Sequence, residues 1–193
     1  MKKYITKLND FLKPYKAIER EGVIKCWVDN QTYYFLDYSR LPWVYGLNNR
    51  GDKIESAQFM DIQRAKVSVA LYLKGVLFDQ RLDRLDYNCT FKSLSEVKDR
   101  LKMRKLNNYY SMNIFVPNKI NLIIRDRQKN IYFTTIDNQK ILLSKDSEYI
   151  LEDFYKAVID LYVRILDFND YKKTFNAAIK WKEFYEIYGY MKE

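Results

Sequence analysis

Apolar residues recur along this chain with two different periods, and each change of period marks an element. Tyr4, Leu8, Phe11, Leu12 and Tyr15 share one helical stripe. They predict an opening helix over 4–19, limited by Pro14 and stopped by Gly22. The pattern then shortens. Runs rich in β formers at 23–28 and 32–37 flank the turn pair Asp29-Asn30. A second pair, 43–47 and 53–59, flanks Asn48-Asn49-Arg50-Gly51, so two successive antiparallel hairpins are expected. From Asp61 the helical period returns through Ile62, Ala65, Val69, Tyr72, Leu73 and Val76, with Asp61 as N-cap and fraying near Gly75.

The stretch 79–88 is charge-dense and gives no clear period. Ser93-Leu94-Ser95-Glu96 then reads as a capping box opening a short helix that packs through Leu94, Val97 and Leu101. Residues 113–144 form a second β block, a meander of 120–125, 131–136 and 140–143. Ser147 caps a helix with the stripe Ile150, Phe154, Val158, Leu161, Tyr162 and Ile165. A final amphipathic helix is expected after Asn169, through Tyr171, Phe175, Ala178, Phe184, Tyr185 and Tyr188. The expected architecture is a single α+β domain over 1–193. It has an N-terminal helix (1–20), one curved antiparallel sheet with inserted helices (23–144) and a C-terminal helical pair (147–190).

Composition narrows the chemistry. The 193 residues include no histidine and two cysteines. Ser-His-Asp and Cys-His catalysis, His-containing zinc sites and four-cysteine zinc sites are thereby excluded. No phosphate-binding glycine motif or nucleophile elbow is present either. The expectation is a protein that is not an enzyme and needs no catalytic residue, metal or cofactor. Cys26, inside an apolar strand, reads as a reduced core residue. No apolar run is long enough to span a bilayer, and with two unpaired cysteines the expected location is the cytoplasm, with no membrane partner. Aromatic residues reach 17%, with 18 tyrosines. The main reading is the codon bias of an AT-rich genome, which raises Lys, Asn, Ile and Tyr together. The rival is an interaction surface rich in Tyr.

The net charge of +9 is spread over the first three quarters of the chain and ends before the last helices. Its densest run is Lys98, Arg100, Lys102, Arg104 and Lys105, followed by Tyr109 and Tyr110. Three readings compete for it: a phosphate-tracking helix with stacking aromatics, a patch for an acidic protein, or a solvated helix face. The spread of charge favours a protein partner over a nucleic-acid groove. Glu96-Val97-Lys98, with Asp83 and Asp86 upstream, also has the spacing of a metal-dependent nuclease, although the capping box explains Glu96 better. Asp79, Asp83 and Asp86 read as an exposed acidic face rather than a cation site.

One stretch carries a family resemblance. It runs from Trp43-Val44-Tyr45 through Arg50-Gly51-Asp52 to Phe59, then to Leu71-Tyr72-Leu73-Lys74-Gly75-Val76-Leu77-Phe78, Asp79 and Arg81. Its order resembles the immunity proteins of bacterial polymorphic toxin systems catalogued as immunity protein sixty-one. That family has a strand, an R-G-acidic turn, a strand and a helix with an aromatic-Leu-x-Gly-Leu/Val-Phe pattern. The meander of Ile120 to Leu143, with Asp126 and Asp137-Asn138 in its turns, is similar to the family's later part. The resemblance covers about Val23 to Ser144. The chain departs from it in its richness in Lys and Tyr, its basic helix and its two C-terminal helices.

The resemblance implies an immunity protein that binds and neutralises a cognate secreted toxin by occluding its active site. It supplies no catalytic residues. The basic composition suits a toxin domain with an acidic surface. The expected contacts are Lys98, Arg100, Lys102, Arg104, Lys105, Tyr109 and Tyr110. The alternative function is a basic nucleic-acid-binding protein of a phage or mobile element using the same helix. A metal-dependent nuclease using Asp83, Glu96 and Lys98 is the third reading.

Overall fold

The structure is a computed structural model and describes residues 1–77 and 89–190. The chain is α+β. It divides into two compact units, Met1–Phe78 with Asp167–Ala178, and Asp79–Leu166 with Ile179–Glu193. The single curved sheet expected from the sequence is corrected by the structure, because the two β blocks form separate sheets of five and four strands.

In the first unit, α1 (Lys2–Phe11) precedes β1 (Ala17–Arg20), β2 (Val23–Trp27), β3 (Thr32–Asp37), β4 (Trp43–Asn49), β5 (Asp52–Phe59) and α2 (Ile62–Leu77). The expected opening helix over 4–19 is too long. It stops at Phe11, ahead of Pro14, which has no amide to donate, and 17–20 pair with β2 instead. The strands run in chain order, all antiparallel. Both hairpin turns fall where expected. The Asp29 carboxylate accepts from the amides of Gln31 (2.7 Å) and Thr32 (2.8 Å), and Arg50 and Gly51 adopt positive φ. Asp61 caps α2 by accepting from the Arg64 amide at 2.7 Å. The helix continues through Gly75 to Leu77.

One face of this sheet carries the core. Ala17, Ile24, Cys26, Leu36 and Tyr45 are buried there, and Tyr45 stacks on Tyr72 of α2 at 5.8 Å. Burial pushes the Cys26 thiol up to about 11, as suits an inert core residue. Lys74 of α2 donates to the carbonyl of Phe11 at the end of α1 and lies 3.4 Å from Asp170. A cation there satisfies a helix-end carbonyl.

The second unit contains α3 (Leu94–Met103), a 3₁₀ turn (Asn107–Tyr109), β6 (Tyr110–Met112), β7 (Lys119–Arg125), β8 (Gln128–Thr134), β9 (Lys140–Lys145) and α5 (Trp181–Ile187). Helix α4 (Ile150–Phe175) begins in this unit, and its last residues belong to the first. The meander β7–β9 is as expected, but the sheet gains a strand that the pattern does not predict, β6, which joins β7 in parallel. Ile120, Leu122, Ile131 and Phe133 are fully buried. The Phe133 ring meets Tyr185 at 5.7 Å and Tyr190 at 4.2 Å.

On the opposite face the buried Asn121 is fully satisfied. Its Oδ1 accepts from Ser111 and from the Val116 amide, and its Nδ2 donates to the Lys119 carbonyl and the Thr134 hydroxyl. The expected helix boundary at Asn169 is also corrected. Helix α4 runs through it and ends at Phe175; the following Asn176, with φ of +50°, and the Ala177 amide bonded to the Lys172 carbonyl (3.0 Å) make a left-handed cap.

Gly46, in the middle of β4, is required by close approach. A Cβ there would lie 2.3 Å from the Ile54 carbonyl oxygen and 2.7 Å from the Phe35 ring. Gly46→Ala is expected to destabilise the chain by about 3 kcal/mol, read as a lower urea midpoint with an unchanged slope. A midpoint within experimental error of the parent would contradict this packing.

Candidate partner-binding surfaces

The basic helix expected from the sequence is present, and its basic residues divide between exposed and half-buried positions. Ser93 caps α3 by accepting from the Glu96 amide at 3.3 Å. The Glu96 carboxylate reaches back one residue further than expected, to the Lys92 amide at 2.8 Å. Val97 and Leu101 are the buried stripe. Lys98 and Lys102 lie one turn apart on an exposed flank, and Lys105 is exposed beyond the helix end. Arg100 and Arg104 are half-buried.

Tyr109 and Tyr110, expected behind the basic residues, are half-buried. Both turn onto α4: Tyr109 edge-on to Tyr162 at 5.1 Å and Tyr110 edge-on to Phe154 at 5.6 Å. Loss of solvent raises the phenol pKa of each above its usual value. The arrangement is a flank of exposed lysines beside half-buried tyrosines that pack on α4. Asp79, Asp83 and Asp86 lie outside the described residues. Among the described residues, no group of three or more Asp, Glu or Cys side chains is placed to hold a metal.

A second surface was hidden in the sequence. On the five-stranded sheet, the face opposite α2 is laid out in rows by the strand register. One row is Trp27, Tyr33, Asn48 and Lys53; the next is Ile18, Lys25, Phe35, Gly46 and Glu55; the third is Arg20, Val23, Asp37, Val44 and Gln58. Phe35 is only 3% exposed, because its ring lies over Gly46 and under the Lys53 ammonium, 4.7 Å from the ring centre. By contrast, Ile18 is 42% and Trp27 39% exposed. Trp27 leans on Tyr33 at 4.5 Å, and the Lys25 ammonium sits 4.6 Å over the Tyr33 ring. Ile18, Arg20, Glu21, Val23, Lys25 and Trp27 line a groove of about 520 Å³.

Sequence reasoning missed Ile18 because it placed 17–19 in a helix. It missed the Trp27–Tyr33 pair although the Asp29-Asn30 turn already implied it.

A second concavity, about 450 Å³, runs along α4 past Ser144, Asp153, Asp160 and Arg164. Asp153 and Arg164 are engaged in holding the fold. Asp153 accepts from the Ser144 hydroxyl at 3.1 Å. Arg164 donates to the Tyr190 hydroxyl at 3.1 Å and lies 5.0 and 5.4 Å from the Tyr188 and Tyr190 ring centres. Burial raises the Tyr190 phenol pKa, with Arg164 opposing. This is a clamp on the segment after α5.

No helix among the described residues is long and apolar enough to cross a membrane. No family model, curated protein or solved structure matches the chain.

The two groups of residues on and behind α3 should respond differently to truncation. Tyr110→Ala is expected to cost about 2–4 kcal/mol of stability through lost packing on Phe154. Lys102→Ala should stay within about 0.5 kcal/mol of the parent. Paired urea titrations check this, and a Tyr110→Ala variant as stable as the parent would return Tyr110 to the set of surface contacts.

Proposed function

We propose that this protein works by binding another protein, as an immunity protein that holds a cognate secreted bacterial toxin inactive by covering its active site. The observation that carries the reading is the open face of the five-stranded sheet. There Ile18 and Trp27 remain substantially exposed beside a Trp27–Tyr33 pair and a lysine. Tryptophan, tyrosine and arginine dominate the energetics of protein interfaces, and an apolar centre within a charged rim is their usual anatomy. The element order from Val23 to Ser144, which resembles the immunity family, supports the same reading. The protein would meet its toxin in the cytoplasm, where an incoming toxin domain acts. The net charge of +9 suits an acidic partner surface and speeds encounter with it.

The nucleic-acid reading rests on Lys98 and Lys102, exposed on one flank of α3. It is the weaker one, because Tyr109 and Tyr110, the residues on which bases would stack, are packed against α4.

The reading predicts that a neighbouring gene encodes a secreted protein with a toxic C-terminal domain, and that co-expression with that domain restores growth and yields a co-eluting complex. Absence of such a gene, or continued toxicity with no complex, would overturn the proposal.

A further inference from the structure

We propose that the toxin-facing surface is the groove on β1 and β2 centred on Trp27, and that it receives an apolar side chain of the partner protein flanked by a carboxylate. This inference rests on the immunity reading above. Ile18, Val23 and Trp27 supply apolar lining, while Arg20 and Lys25 stand among them on the same face. Lys25 is already positioned over the Tyr33 ring, so it presents its ammonium at low conformational cost. A carboxylate beside the inserted apolar group would meet Lys25 or Arg20 at the groove's edge, and the apolar group would fill the space beside Trp27.

Two features decide the class of occupant. First, charge on and beside this face is mixed: Arg20, Lys25 and Lys53 stand among Glu21, Asp37 and Glu55. A nucleic acid needs a run of unopposed cations along its phosphates, whereas a protein interface needs an apolar centre with a mixed rim. Second, the occupant is not an added strand. The free edge beside the groove, β1, is four residues long. The Asn9 side chain takes both polar groups of Ala17, accepting from its amide at 2.6 Å and donating to its carbonyl at 3.1 Å. Blocked, short edges of this kind prevent strand addition. Side-chain insertion from a folded surface is the mode of binding left.

The test is calorimetric titration with a catalytically inactive form of the toxin domain encoded next door. Trp27→Ala is expected to weaken binding by about 30-fold or more, the loss typical of an interface hot spot. Lys25→Glu should weaken it by about tenfold, while the Lys98→Glu, Lys102→Glu double variant stays within about threefold of the parent. Parental thermal midpoints for Trp27→Ala and Lys25→Glu separate lost contact from lost fold. If the parent binds but both groove variants bind as tightly, the groove is overturned and the immunity reading stands. If the parent itself neither binds nor protects, that reading fails and the groove with it. Binding of a single-stranded oligonucleotide that Trp27→Ala abolishes would overturn the proposal in favour of a nucleic-acid surface.

Discussion

A β-strand sends successive side chains to opposite faces, so a sheet covered by helices on one side only must settle its other side with its own residues. That constraint governs how the five-stranded sheet uses its residues. The helix side is a conventional core of Ile24, Leu36, Tyr45 and Cys26 beneath α2. The other side also carries large apolar groups, and among the described residues it treats them in two ways. Phe35 is sealed by the sheet itself, since Gly46 makes room for its ring and Lys53 closes over it. Trp27 and Ile18 are not sealed. A single sheet therefore both seals one aromatic ring with its own residues and leaves another substantially exposed.

The same alternation explains how much of the fold is legible in the sequence. The hairpins flanking Asp29-Asn30 and 48–51, the cap at Asp61, the cap at Ser93 and the β7–β9 meander are all local features, written in short-range turn and capping chemistry. The differences between expectation and structure are of longer range. Ala17 and Ile18 carry both a helical and a strand-like pattern, and pairing with Cys26 and Lys25 decides between them. Nothing local distinguishes Asn169, which α4 runs through, from Asn176, which takes positive φ at its end. Nor can periodicity say whether two β blocks share one sheet, because that depends on which strand edges meet.

The candidate surface is hard to read from the sequence for a related reason. Charge density along the chain points to the run from Lys98 to Lys105, but a helix distributes consecutive residues around its circumference. Helix α3 sends Lys98 and Lys102 to solvent and half-buries Arg100, and the following Tyr109 and Tyr110 are spent on α4. The residues that do converge, Ile18, Lys25, Trp27 and Tyr33, come from three strands, and only the register brings them to one face. An apolar pair with a lysine beside it suits the proposed protein-binding role, in which apolar burial would supply affinity and a few ions orientation and specificity.

Hydroxyl-radical footprinting of the chain, free and with an inactive form of the proposed toxin partner, separates the sheet face from the basic helix as the contact surface. Trp27 and Tyr33 report on the sheet face, and Met103, 70% exposed at the end of α3, reports on the basic helix. Tyr149, 63% exposed ahead of α4, serves as an internal reference. The complex is expected to protect Trp27 and Tyr33 from oxidation while Met103 and Tyr149 are labelled as in the free chain. Protection of Met103 with Trp27 oxidised as before would contradict the proposal.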